Sequence, residues 1–100
     1  MRVSTQHRQL IIESIGKFID HFDLYLFGSR ADDKKKGGDI DLLLLVPADQ
    51  IVPLTQNRYK ILLEIKQNIG NQKIDLVIRT INTADDFVDA ILPMAVKLNR

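Results

Sequence analysis

Three acidic residues and one glycine turn carry the chemistry that this sequence can offer. Asp39 and Asp41 stand two apart at the head of an apolar run that continues through Leu42-Leu43-Leu44-Leu45-Val46. On an extended strand both carboxylates then project to the same face, and carboxylate oxygens are the preferred ligands of hard divalent cations. Asp75 lies inside a second apolar run, Ile74-Asp75-Leu76-Val77-Ile78. An isolated ionised carboxylate is costly there unless a cation or hydrogen-bond donors compensate it. If the two strands are neighbours, the three carboxylates converge. Cations held by them would stabilise the attacking and leaving oxygens of a phosphoryl displacement.

Upstream, Leu24-Tyr25-Leu26-Phe27 runs into Gly28-Ser29-Arg30. A glycine-serine turn brings backbone N–H groups and a hydroxyl to where a polyphosphate can bind. Arg30 adds a charge-assisted contact or is simply exposed. Together these residues suggest a site for a nucleoside triphosphate with divalent metal.

Plainer readings stand beside this one. An Asp at a strand start is often a turn cap, and Asp75 has Arg79 and Lys73 as potential ion-pair partners. Gly-Ser after a strand is ordinary turn chemistry, and the run Lys34-Lys35-Lys36 reads first as a solubilising loop. The conjunction of the turn with the acids tips the balance toward a site. His7 and His21 complete no metal or nucleophile set and read as surface residues, whereas Tyr25 and Tyr59 read as packing residues.

The elements that must position these groups follow from periodicity. Apolar residues Ile11, Ile15, Phe18 and Ile19 recur at helical spacing, which predicts an amphipathic helix over residues 4 to about 20, capped by Ser4 or Thr5. Gly16 inside it marks close packing against a neighbour. Residues 24–27 form a short strand, residues 29–33 one helical turn, and residues 34–38 a mobile polar loop. Residues 39–46 form the central strand, apolar on both faces as in a strand covered on both sides. A helix over residues 53 to 69 buries Leu54, Ile61, Leu62, Ile65 and Ile69, with Arg58 interrupting its stripe and Gly70 ending it. Residues 73–78 form a third strand. A last helix starts at Thr83 and carries the stripe Phe87, Ala90, Ile91, Met94, Ala95 and Leu98, with Pro93 imposing a kink or a division into two pieces. The order is α-β-α-β-α-β-α, an α/β (α+β) arrangement.

Composition bounds what else is possible. One hundred residues with 45% hydrophobic content suit a single domain, residues 1–100. A net charge of +1 with mixed signs argues against a general nucleic-acid or membrane-surface binder, so no direct nucleic-acid binding is expected. The absence of cysteine excludes disulfides, thiolate zinc sites and cysteine nucleophiles, and is compatible with a reducing cytoplasm. The first ten residues lack the apolar core of a secretory signal, and the longest apolar run is far short of a membrane span. A soluble, cytoplasmic protein is expected.

One combination is more specific. Phe27-Gly28-Ser29, nine intervening residues, Asp39-Ile40-Asp41-Leu42, and later Ile74-Asp75-Leu76 together resemble the signature of the DNA polymerase beta-like nucleotidyltransferase superfamily. In size the chain is similar to the minimal nucleotidyltransferases, the MntA-like antitoxins of prokaryotic HEPN/MNT pairs. The resemblance implies a nucleotidyltransferase fold, a small mixed β-sheet flanked by helices. It also implies two magnesium ions held by Asp39, Asp41 and Asp75, with ATP as substrate. Asp75 would hold the catalytic metal and help activate the acceptor hydroxyl, while Gly28 and Ser29, with Arg30, would grip the triphosphate. The implied reaction transfers AMP to a tyrosine of a HEPN-family RNase toxin, with which the chain would form a hetero-oligomer and act as antitoxin. Two other expectations from the same residues are a catalytically weak module that neutralises its partner by binding, and transfer to a small-molecule hydroxyl. The sequence departs from the family pattern after Gly-Ser, where Ala31-Asp32-Asp33 replaces Ala-Arg-Gly and Gly38 replaces a serine. The added negative charge would weaken triphosphate binding, with Arg30 and the lysine run as an offset.

Overall fold

The computed structural model describes residues 1–34 and 38–100. Its centre is the leucine run, which forms strand β2 (Ile40–Val46), flanked on one side by β3 (Ile74–Thr80) and on the other by β1 (Asp23–Phe27). A short edge strand, β4 (Val96–Lys97), completes the order β3-β2-β1-β4. β2 and β3 are parallel, and β1 is antiparallel to both β2 and β4. The sheet is therefore mixed, as expected.

Both faces of β2 are covered, which is why its run is apolar without alternation. On one face Leu24, Leu26, Ile40, Leu42, Leu44, Leu76 and Ile78 pack against Ile11 and Ile15 of α1 (Thr5–Gly16) and Ile61 and Ile65 of α3 (Arg58–Ile69). The buried Ser14 hydroxyl donates to the Leu10 carbonyl at 2.7 Å and accepts from Asn68 Nδ2 at 2.7 Å, tying the two helices together. On the opposite face Leu43 and Leu45 meet Val88 of α4 (Asp86–Ile91), with Tyr25, Phe27 and Val77 around them. Asp41 belongs to this second face, because side chains alternate along a strand.

Several element boundaries differ from expectation. α1 is capped by Ser4, whose Oγ accepts from His7 N at 3.0 Å, but it ends at Gly16; Phe18 and Ile19 still pack on the core from the turn beyond. Gly16 marks no close approach, since an added Cβ would meet nothing within 4 Å. The helix expected over residues 53–69 is two helices, α2 (Ile51–Gln56) and α3. They break at Asn57, whose side chain and backbone N–H both donate to the Pro53 carbonyl, at 2.9 and 3.0 Å. Tyr59, on the outer side of α3, is exposed rather than packed.

The last helix begins after Asp85, not Thr83: the Asp85 carboxylate accepts from Val88 N at 3.1 Å. Pro93 divides the segment as anticipated, leaving α4 followed by a single 3-10 turn, Leu92–Met94. The continuous stripe therefore fails. Met94 is 78% exposed, and Leu98 is buried from an extended segment. That segment is fixed by a bond from Leu98 N to the Leu24 carbonyl and by Asn99, which accepts from Leu24 N and donates to the Phe22 carbonyl, each at 2.7 Å. The mobile loop expected over residues 34–38 falls largely on residues 35–37, outside the described residues. Among the described residues no helix is long and apolar enough to cross a membrane.

Candidate active site

The parallel register of β2 and β3 sets Asp41 directly beside Asp75, and the antiparallel register of β1 and β2 sets Phe27 beside Asp41 on its other side. One row across the second face of the sheet thus reads Asp75, Asp41, Phe27. Asp39 precedes Asp41 by two residues, just ahead of the strand, and its negative charge acts on the Asp41 carboxyl. Because α4 covers the sheet further along, at Leu43 and Leu45, the acidic end stays open: the side chains of Asp39 and Asp75 are 51% and 63% exposed.

Gly28 follows Phe27 and ends β1. Its φ of +72° is in the region that side chains disfavour, and a Cβ built on it would lie 2.2 Å from Asp41 Oδ2 and 3.1 Å from Asp41 Cγ. The glycine is required twice over, by backbone conformation and by contact with the acid. From Gly28 the chain makes a 3-10 turn, Gly28–Ala31, which replaces the helical turn expected over residues 29–33. The turn is held by Arg30. Its guanidinium donates to the Arg2 carbonyl at 3.0 Å, the Gly38 carbonyl at 2.8 Å and Gln72 Oε1 at 3.4 Å. The residue expected at a phosphate thus directs three bonds to the amino-terminal segment, the head of β2 and the turn before β3, while its buried Nε has no hydrogen-bond partner among the described residues. Asp32 and Asp33, the departures from the family pattern, are also engaged: Asp32 Oδ1 accepts from Lys34 N at 2.9 Å, and Asp33 pairs with the Met1 amino group.

The electrostatics of the three acids differ. Burial, and then the negative charges of Asp75 and Asp39, raise the Asp41 carboxyl above its ordinary value, with Lys73 acting in the opposite direction. The outer two have cation partners: Lys73 Nζ lies 3.6 Å from Asp39 Oδ2, and an Arg58 nitrogen lies 3.6 Å from Asp75 Oδ1. Asp75 is therefore paired with neither Arg79 nor Lys73; Arg79 binds Asp85 at 3.2 Å. Arg58 is anchored by its Nε, which donates to the Leu76 carbonyl at 2.8 Å. Arg58 is the site neighbour that residue spacing did not assign, and Lys73, offered as a partner of Asp75, pairs with Asp39 instead. For Arg58 the signal was its interruption of the apolar stripe of a helix.

Among the described residues, no three acidic or imidazole groups are gathered closely enough to hold a metal ion in this conformation. The donor set nonetheless fits a hard divalent cation. It consists of carboxylate oxygens from one strand head and its in-register neighbour, and the burial, with the added repulsion from Asp75 and Asp39, that raises the Asp41 carboxyl is what a cation there offsets. Residues 9–97 match the family model described as the nucleotidyltransferase domain. The chain belongs to this family. Its mixed sheet flanked by four helices is the nucleotidyltransferase fold, and membership supports nucleotidyl transfer as the general activity, with a nucleoside triphosphate and a divalent metal as the family's usual requirements. No curated protein matches the chain at a significant level.

Proposed function

We propose that this nucleotidyltransferase transfers AMP from ATP, with magnesium, to a hydroxyl of a protein partner. The partner is a tyrosine-bearing HEPN-family RNase toxin, and the chain serves as its cytoplasmic antitoxin. The observation that carries the reading is the packing of Gly28 onto Asp41, with Asp75 in register on the far side. It puts a glycine-serine turn suited to phosphate against a carboxylate suited to metal. Asp39, Asp41 and Asp75 would hold the magnesium ions, which when bound neutralise charge on the triphosphate.

The chain's own residues have separate tasks. Backbone N–H groups and the Ser29 hydroxyl orient the leaving pyrophosphate. Asp75, the most exposed of the three acids, takes the proton of the acceptor hydroxyl. The acceptor oxygen then bonds to the α-phosphorus as the bond from that phosphorus to the bridging oxygen breaks, releasing pyrophosphate. The openness of the acidic end supports an acceptor carried on a macromolecule, which can be presented from outside the sheet.

Incubation with magnesium, α-labelled ATP and the product of the adjacent reading frame should label that product, and Asp41→Asn should abolish the label. An unlabelled partner, with wild type and Asp41→Asn indistinguishable, would sink the transferase reading. The pairing of the outer acids with Lys73 and Arg58 favours a second reading, neutralisation by binding alone. It predicts that the Asp39→Ala/Asp41→Ala double variant still neutralises the toxin.

A further inference from the structure

Beside the row Asp75, Asp41, Phe27 stands an aromatic ring that the core leaves partly uncovered. Phe87 is the second residue of α4 and is 38% exposed, whereas Val88 next to it is buried against the sheet. The ring is nevertheless firmly held. Its centroid lies 6.0 Å from that of Phe27 with the planes at 86°, an edge-to-face contact, and the Arg79 guanidinium carbon lies 5.4 Å from its centroid. Arg79 is in turn fixed by Asp85, the residue that caps α4, and by a bond to the Ile78 carbonyl at 3.1 Å. A loosely placed surface phenylalanine would need none of this support. The arrangement is that of an oriented aromatic surface.

Its position gives the surface a use. Phe27, the ring that Phe87 abuts, pairs with Asp41 and immediately precedes Gly28. The aromatic pair therefore starts at the residue next to the turn assigned to the triphosphate. We propose that Phe87, backed by Phe27 and Arg79, is the stacking platform for the nucleobase of the nucleoside triphosphate. This rests on the nucleotide reading of the Gly28 and Asp41 site given above. Stacking on a single ring discriminates by the size of the π-face rather than by hydrogen bonds. The platform therefore favours purine over pyrimidine triphosphates.

The test compares ligands with and without a base. Binding of ATP, CTP and inorganic tripolyphosphate is measured by calorimetry with magnesium, on the full chain, for wild type, Phe87→Ala and Phe87→Trp, with circular dichroism as a check of folding. The wild type should bind ATP more tightly than CTP and both more tightly than tripolyphosphate. Phe87→Ala should weaken ATP binding by about 5- to 150-fold and leave tripolyphosphate within twofold, while Phe87→Trp keeps ATP affinity. The inference is overturned if Phe87→Ala leaves ATP affinity unchanged, or if it weakens ATP and tripolyphosphate by the same factor, which would make the ring a prop for the turn. Unchanged ATP affinity with a raised KM for the protein acceptor would assign the ring to the acceptor's aromatic side chain instead. A wild type that binds neither ATP nor tripolyphosphate would overturn the nucleotide reading and this inference with it, whereas equal affinities for the two would overturn the platform alone.

Discussion

Replacing Gly28 with alanine tests whether the turn and the acid form one unit. The new Cβ has two problems. With φ at +72°, an alanine is held in left-handed backbone at a cost of about 1–2 kcal/mol. It also falls 2.2 Å from Asp41 Oδ2, so the carboxylate must leave its place, and forcing a side chain off its rotamer adds about 0.5–1.5 kcal/mol. The sum is about 1.5–3.5 kcal/mol, a fall in melting temperature of about 6–28 °C for a domain of this size. Moving the acid should reduce nucleotidyl transfer by about a hundredfold or more, since displacements near 1 Å have that effect on a positioned group. Thermal and urea unfolding followed by far-UV circular dichroism supply the stability term, the chain having no tryptophan. The contact itself is isolated by a double-mutant cycle. In an Asp41→Ala background Gly28→Ala should lose only the backbone term, giving a coupling of about 1 kcal/mol. Gly16→Ala is the control: nothing lies within 4 Å of its Cβ, and alanine there should stabilise by about 0.5–1 kcal/mol. An equal loss in both Asp41 backgrounds would refute the claim that Gly28 is reserved for the acid, as would an unchanged melting temperature.

Other perturbations separate the acids from their surroundings. Folding raises the Asp41 carboxyl above 3.8, so the native state favours the proton that the unfolded chain releases. The stability this proton confers is complete below pH 3.8 and is lost as pH rises through the native value. Without metal, Asp41→Asn should therefore have a higher urea midpoint than wild type at pH 7, and the difference should disappear toward pH 3; a less stable variant at pH 7 would contradict the assignment. Arg58→Gln removes an exposed pair and the Nε bond to the Leu76 carbonyl, and should lower stability by about 1–2 kcal/mol. It should lower turnover by roughly ten- to a hundredfold if Arg58 orients Asp75, a split that melting curves and initial rates resolve. Asn99→Ala strands the Leu24 N–H beneath the edge strand and should destabilise by about 1–3 kcal/mol, as urea unfolding would show, with no specific effect on the acids.

What could be read from the sequence was whatever is local. Leu42 to Val46 and Ile74 to Ile78 announce strands through runs that need covering on one or both faces, and the spacing of Asp39 and Asp41 puts two acids on one face without knowledge of the fold. β4 escaped because Val96 and Lys97 carry no strand signature. They are held at the edge by backbone bonds and by Asn99, a residue whose type says nothing about Leu24, 75 positions away. The break at Asn57 escaped because the apolar spacing continues across it, and the second bond that its side chain makes to the Pro53 carbonyl is not legible from residue type. Gly28 was picked out as a phosphate turn. That it presses on Asp41 depends on the register of two strands and could not have been derived from either alone.

Asp75 departs furthest from what its sequence neighbourhood suggests, and the departure explains how the acids divide their work. An acid inside an apolar run suggested a buried charge in need of a cation. β3, however, is one of the two edge strands, and Asp75 points to the face that α4 leaves open, so its carboxylate remains in water beside Arg58. The desolvation falls instead on Asp41, in the covered strand, with Gly28 against it and Asp39 and Asp75 as its negative neighbours. Asp39 and Asp75 each have a cation at 3.6 Å in weak, solvent-exposed pairs that a stronger ligand can displace. Asp41 is thus the fixed point of the site, and the outer two acids are free to exchange partners around it. Charge removal should accordingly stabilise the metal-free fold most at Asp41, where burial adds to the repulsion, and less at Asp39 or Asp75, where it relieves the repulsion toward Asp41 at the expense of an exposed ion pair.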